Sequence, residues 1–268
     1  MDPAAIIFAC CLVMGLVVGF LAGMFGIGGG LIIVPALTYL LISVAGLQLE
    51  QVMPMAVATS LSTIIFTGYS SARAHYKLGN LKRYIVLWCG IGISLGAVLG
   101  AQVASAISGA LLKNVFATLM IVIALQMIFG KRNSSSHYAS RSTLSGIGAG
   151  SGFVSALMGI GGGVLLVPAL VWFRVNMRQA IGCAALCGLV VAIFGTASFV
   201  IAGLHQTHLP PMTLGYVYLP ATFGIVTTSI FTAGVGARVG QKVDTGLLKK
   251  LLAGLLILVS IRMIVGIN

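Results

Sequence analysis

Gly26-Ile27-Gly28-Gly29-Gly30-Leu31-Ile32-Ile33-Val34-Pro35-Ala36-Leu37 returns later in the chain as Gly159-Ile160-Gly161-Gly162-Gly163-Val164-Leu165-Leu166-Val167-Pro168-Ala169-Leu170, identical at nine of twelve positions. Both copies lie inside apolar sequence, where a run of glycine needs a reason, since each glycine weakens a helix by about 1 kcal/mol relative to alanine. We read each copy as a broken helix that exposes its backbone to a ligand. The competing reading is that the glycines only let helices pack closely. A Val-Pro-Ala-Leu segment behind both copies weighs against it.

With 59% hydrophobic and 7% charged residues and a mean hydropathy of +1.13, the chain lacks the polar surface needed to cover a soluble globule. It reads as an all-α polytopic membrane protein, long enough for about eight to ten spans of roughly 20 residues each. The net charge of +12 does not point to nucleic acid, because the basic residues stand singly or in small groups between apolar runs and form no contiguous basic face. Orientation in a bilayer accounts for them better. Met1-Asp2-Pro3 leads straight into apolar sequence, which reads as an uncleaved first helix. The five cysteines (Cys10, Cys11, Cys89, Cys183, Cys187) lie in apolar segments without a CxxC pair or a histidine at ligand spacing, so neither a disulfide framework nor a metal site is expected. Cys183 and Cys187, four apart, share one helix face.

Apolar runs cover 4–25, 31–47, about 53–72, 84–106 and 111–130, and then 144–158, 164–173, 179–203, 214–236 and 246–266. Between the two sets stands a solvated linker, 131–143, opening with Lys131-Arg132-Asn133-Ser134-Ser135-Ser136. The halves are duplicates beyond the glycine motif. Gly100-Ala101 pairs with Gly236-Ala237, and Leu111-Leu112-Lys113 with Leu247-Leu248-Lys249. We therefore divide the chain into a first transmembrane repeat, 4–130, and a second, 144–266, each with a glycine-broken helix pair plus three transmembrane helices.

The charges decide how the repeats are related. If each broken segment crosses the bilayer, the basic residues divide almost evenly between the two sides. If each returns to the side it came from, 73–83, 131–141, 174–178 and 238–250 share one side, and only Lys113 and Arg262 of the fifteen Lys and Arg fall on the other. The second arrangement gives an odd number of crossings per half and so inverted repeats, the usual build of secondary transporters, with both termini outside. Eight spans with two re-entrant turns and ten short helices both remain open readings.

Two glycine tips meeting near the bilayer midplane would make an anion cradle, because successive backbone N–H groups and the start of the following helix aim positive charge at one point. The candidate binding residues are therefore Gly26, Ile27, Gly28, Gly29 and Gly30 with Gly159, Ile160, Gly161, Gly162 and Gly163. Thr59 and Ser60 are candidate supporting donors, although intramembrane hydroxyls more often bond their own helix. The second half has Cys183-Ala184 where the first has Thr59-Ser60. Gln102 and Arg238, at matching helix ends, read as solvated topology determinants, and His205 and His208 as surface residues. The carboxylates Asp2, Glu50 and Asp244 all fall in termini or loops, so no carboxylate relay and no catalytic pair is in view. No enzyme activity, cofactor or catalytic residue is expected.

The duplicated glycine motif, Ala56-Val57-Ala58-Thr59-Ser60-Leu61 and Gly236-Ala237-Arg238-Val239-Gly240 together resemble the sulfite exporter TauE/SafE family of membrane permeases, over about 6–266. The resemblance implies a carrier of the bacterial inner (plasma) membrane. Its substrate would be sulfite or a related small sulfur-containing anion such as an organosulfonate. The partners implied are that anion and the lipid bilayer, with no nucleic acid; a homo-oligomer is open. The alternative from another class is a membrane-embedded sensor or assembly subunit without flux of its own.

Overall fold

The computed structural model describes residues 3–25, 28–129, 140–206, 208–240, 254 and 257–263. Nine helices follow in chain order among them: α1 (Pro3–Phe25), α2 (Gly30–Ala45), α3 (Leu49–Lys77), α4 (Arg83–Ala106), α5 (Gly109–Phe129), α6 (Arg141–Leu157), α7 (Gly163–Trp172), α8 (Met177–Gly203) and α9 (Leu219–Gly240). Residues 257–263, within the last apolar run, are helical too. Six of the helices are long and apolar enough to cross a membrane, whereas α2 and α7 are shorter apolar pieces that begin at the glycine stretches. The chain is thus an all-α polytopic membrane protein.

Local chemistry explains where the helices end. Ser140 caps α6 by accepting the Thr143 N–H, so Arg141–Thr143 are the first helical turn and not linker. Likewise α3 runs on past the end of its apolar run at about 72, through Arg73, His75 and Lys77, until Gly79 turns the chain at φ 69°. Glu50 also lies in a helix, in the first turn of α3, where its carboxylate takes the Gly109 N–H at the start of α5. One anion there faces the positive ends of two helices. Before α9 the chain forms a small antiparallel hairpin, β1 (Thr213–Leu214) with β2 (Val217–Tyr218), so the helix expected from 214 starts at Leu219. Gly215, at φ 55°, makes the turn.

Small residues let the helices approach backbone to backbone. Along α4, a side chain on Gly92, Gly96 or Gly100 would collide in turn with the backbone at Ser145, Ala149 and Phe153 of α6, so the two helices run parallel. Along α1 and α9, Gly15 faces Ile225 and Thr228, Gly19 faces Ser229 and Thr232, and Gly236 faces Phe20 and Met24, again in parallel. These are the same pairing made twice, since α1 corresponds to α6 and α9 to α4 in the duplication. The other corresponding pair, α3 and α8, crosses antiparallel: Leu61 meets Gly195, Gly68 meets Leu189, and Asn80 beyond α3 meets Gly182. The core between them is lined by buried Val57, Leu61, Ile64, Cys183, Cys187 and Val191.

The charges follow this geometry. Lys77 ends α3, Lys82 and Arg83 start α4, Arg141 starts α6 with its guanidinium 5.5 Å from the Trp88 ring of α4, and Arg178 lies at the start of α8. All gather at one end of the bundle. Glu50, Lys113 near the start of α5, and His208, whose carbonyl accepts the Gln51 side chain, are at the other.

Replacing Gly96 by Leu drives a side chain into the α6 backbone, whereas Gly90, on the same helix, has nothing within 4 Å. Thermal unfolding in detergent is expected to show Gly96→Leu destabilised by about 1–3 kcal/mol and Gly90→Leu unchanged.

Candidate functional site

The two glycine stretches meet. α6 ends in a Schellman turn, in which Gly159, at φ 63°, donates its N–H to Ala156 and Ile160 donates to Ser155. Gly28 and Gly29, at φ 78° and 80°, make the matching bend before α2, a conformation an L side chain adopts only at a cost of about 1–2 kcal/mol. The strands of backbone then cross. A side chain on Gly30 would strike the Gly159 carbonyl, and one on Gly28 would lie 3.5 Å from Gly161. Gly161 and Gly162 in turn rest on α8 at Gly188. Gly26 and Ile27 lie outside the described residues.

A helix break frees backbone groups, and each must find a partner in apolar surroundings. The Gly159 carbonyl is taken by the Ser60 hydroxyl, 2.7 Å away and fully buried on α3. Ile32 and Ile33 donate to the Gly29 carbonyl, and Leu166 to that of Gly162, starting α2 and α7. The N–H groups of Gly161, Gly162, Gly163 and Val164, by contrast, have no acceptor among the described residues. Gly161 and Gly162 are buried, and Gly163 and Val164 half-buried. Four adjacent donors at the start of α7, two of them buried, are therefore without an acceptor among the described residues.

Ser60 is engaged elsewhere, its hydroxyl donating to the Gly159 carbonyl, whereas Thr59 Oγ1 accepts the Tyr218 N–H at 3.0 Å and keeps its own O–H. Cys183, which stands where Thr59 stands in the first half, does the same work: the Lys82 N–H approaches its sulfur at 3.4 Å. Lys82 and Tyr218 immediately precede α4 and α9 and are separated by 136 residues, the offset that relates Gly100 to Gly236. Each half thus supplies the acceptor for the first orphan donor of the other half's fourth helix.

Other polar residues find structural partners. Ser62 donates to Thr59 and bonds Thr222 of α9 at 2.8 Å. Gln102 is exposed, as a solvated helix end implies, and its side chain also reaches Ser198 of α8 at 3.0 Å. The side chain of Arg238 lies outside the described residues. His205 and His208 are exposed. The residues that sequence reasoning missed, Tyr218, Thr222 and Gly188, carry no motif of their own. The signal for Tyr218 was the 136-residue offset from Lys82.

Ser60→Ala would leave the buried Gly159 carbonyl unpaired, and is expected to lower stability by about 1–3 kcal/mol in thermal unfolding. Thr63→Ala removes a hydroxyl that bonds only its own helix, at Ser60, and is expected to change stability by less than about 1 kcal/mol.

The description "Sulfite exporter TauE/SafE" is that of the family matched by residues 11–263. A Haemophilus influenzae protein named "Probable membrane transporter protein" is 38% identical over 255 residues, spanning 94% of this chain and 96% of its own. Similar proteins carrying that name occur in Bacillus subtilis (YunE, 27% identical over 96% of this chain and 97% of the relative) and Methanocaldococcus jannaschii (MJ0441, 26% identical over 91% of each). No solved structure matches the chain. With a match across nearly its whole length and relatives described as transporters and not as enzymes, the chain belongs to the sulfite exporter TauE/SafE family of membrane transporters.

Proposed function

We propose that this transporter exports a small sulfur oxyanion, sulfite or a related organosulfonate, across the bacterial inner membrane. The observation that carries the reading is the row of backbone donors from Gly161 to Val164, two buried and two half-buried, without an acceptor among the described residues. Donors of this kind inside a membrane protein are costly unless something fills them. An oxyanion is the complementary ligand, since its oxygens accept several N–H groups at once and its charge faces the positive start of α7. The duplication supplies a second set of donors, Gly28 to Leu31 at the start of α2, on the other side of the crossing. Sulfite itself is suggested by the family's description.

The same reading takes the halves as inverted repeats, 4–130 and 144–266, joined by 131–143. What supports it is the antiparallel crossing of α3 and α8 together with the parallel pairs α1 with α9 and α4 with α6. Halves related by an axis along the membrane normal would set corresponding helices parallel. Inversion also puts the basic end on the cytoplasmic side. The residues Gly26–Gly30 and Gly159–Gly163 are then the substrate site, with Ser60 holding one tip in place and not donating to the anion. In an inside-negative membrane the potential drives each anionic charge outward by about 2.3 kcal/mol per 100 mV.

Two experiments test this. Single cysteines introduced at Asn80 and Gln206, between the third and fourth helices of each half, are expected to label from opposite faces of oriented vesicles; labelling from the same face contradicts inversion. In proteoliposomes the protein is expected to pass sulfite in preference to chloride or acetate, faster under an imposed potential. Gly162 has ordinary van der Waals space around it, with Val191 at 3.5 Å, so Gly162→Ala folds. Its methyl group would sit between the start of α7 and Gly188 of α8, altering the spacing behind the donor row, and flux should fall at least tenfold. Flux unchanged in Gly162→Ala contradicts the site.

A further inference from the structure

A cavity of about 550 Å³ opens at the basic end of the bundle, away from the glycine crossing. Its rim carries Lys77, the last residue of α3, and Arg83, the first of α4, and its wall is Tyr76, Leu81, Val86 and Leu186. The cavity is amphipathic by depth. The cations stand at the helix ends, while Val86 lies about one turn into α4 and Leu186 one turn beyond Cys183, the residue that meets the Lys82 N–H.

It also opens sideways. Leu186 begins a stripe on α8 that continues through Ile193 and Ile201, which are 45% and 61% exposed. Tyr76, 70% exposed, ends a similar stripe on α3 with Phe66 and Tyr69. Such apolar and aromatic stripes on a membrane protein face lipid. No carboxylate neutralises the rim among the described residues. The one present, Glu50, sits at the far end of α3, about 40 Å along the helix.

We propose that this cavity binds an anionic phospholipid from the leaflet at the basic end, with the headgroup phosphate between Lys77 and Arg83 and an acyl chain against Leu81, Val86 and Leu186. A basic pocket between helices at the membrane surface is the physical form such recognition takes. A free oxyanion would satisfy the two cations and leave the apolar floor empty. The lipid satisfies both.

The test is thermal unfolding of the full chain, delipidated in a neutral detergent, titrated with phosphatidylglycerol, phosphatidylcholine, sulfite or inorganic phosphate. Phosphatidylglycerol is expected to raise the midpoint by several degrees and phosphatidylcholine to leave it unchanged. The K77Q/R83Q variant should need at least tenfold more phosphatidylglycerol for the same shift, and so should L186Q, which keeps both cations. R141Q/R178Q removes two cations from the same end outside the cavity and should behave as the parent. Equal stabilisation by both lipids, an undiminished response in K77Q/R83Q, or an equal loss in R141Q/R178Q overturns the proposal. So does stabilisation by sulfite or phosphate that needs Lys77 and Arg83, which would make the cavity a vestibule for free anions. None of these readouts depends on flux, so the lipid site stands or falls apart from the transport reading.

Discussion

A backbone group stripped of its helical partner cannot be left to hydrocarbon, and this constraint organises the whole protein. The chain turns out of helix at Gly28–Gly29 and again at Gly159, and the second of these breaks hands a freed carbonyl to the opposite half. The Gly159 carbonyl is met by Ser60 of α3, and Gly30 lacks a side chain where that carbonyl passes. The contact fixes where α2 and α7 start, and so which way their first-turn donors point. It also fixes α3 against the second half, because Ser60 holds the crossing and Thr59 beside it takes the Tyr218 N–H. Among the described residues the donor row from Gly161 to Val164 is left without an acceptor, which is why we propose it as the place that binds and releases cargo.

The exchange between halves recurs at the starts of α4 and α9. Lys82 finds Cys183 and Tyr218 finds Thr59, at corresponding positions with different chemistry. A thiol and a hydroxyl are both able to accept one N–H, so the substitution that puts hydroxyl donation to a ligand in question leaves the capping intact. The loops around these caps differ in length. A short turn closed by Gly79 precedes α4, whereas a longer loop with the β1–β2 hairpin precedes α9. The hairpin packs Tyr216 edge-on against Phe199 at 6.3 Å. The duplicated plan is thus kept in the buried contacts and varied at the two ends.

Most of this plan was legible in the sequence, for physical reasons. Glycine runs in apolar sequence, the Val-Pro-Ala-Leu behind each and the offset pairing of Gly100 with Gly236 are local patterns, and they announce both breaks and the order of helices. Less legible was what each polar side chain touches. Thr59 and Ser60 read as donors because they sit beside the motif, but the Ser60 hydroxyl donates to Gly159 and Thr59 is held as the acceptor of the Tyr218 N–H. Which partner wins depends on where another half's backbone arrives, and that is decided by tertiary packing. Residues 214–218, which fall in the hairpin, read as the start of a span because Val217 and Tyr218 continue an apolar run, and the turn at Gly215 shows only in three dimensions. Glu50 was read as a loop residue since its partner, the start of α5, is 59 residues away.

The donor row at the glycine crossing is the proposed anion site. The most direct measurement is a structure of the protein soaked with selenite, a heavier analogue of sulfite whose anomalous scattering locates it without assumption. The account predicts a peak within about 3 Å of the N–H groups of Gly161 to Val164. A peak found only elsewhere, for instance between Lys77 and Arg83, would contradict it.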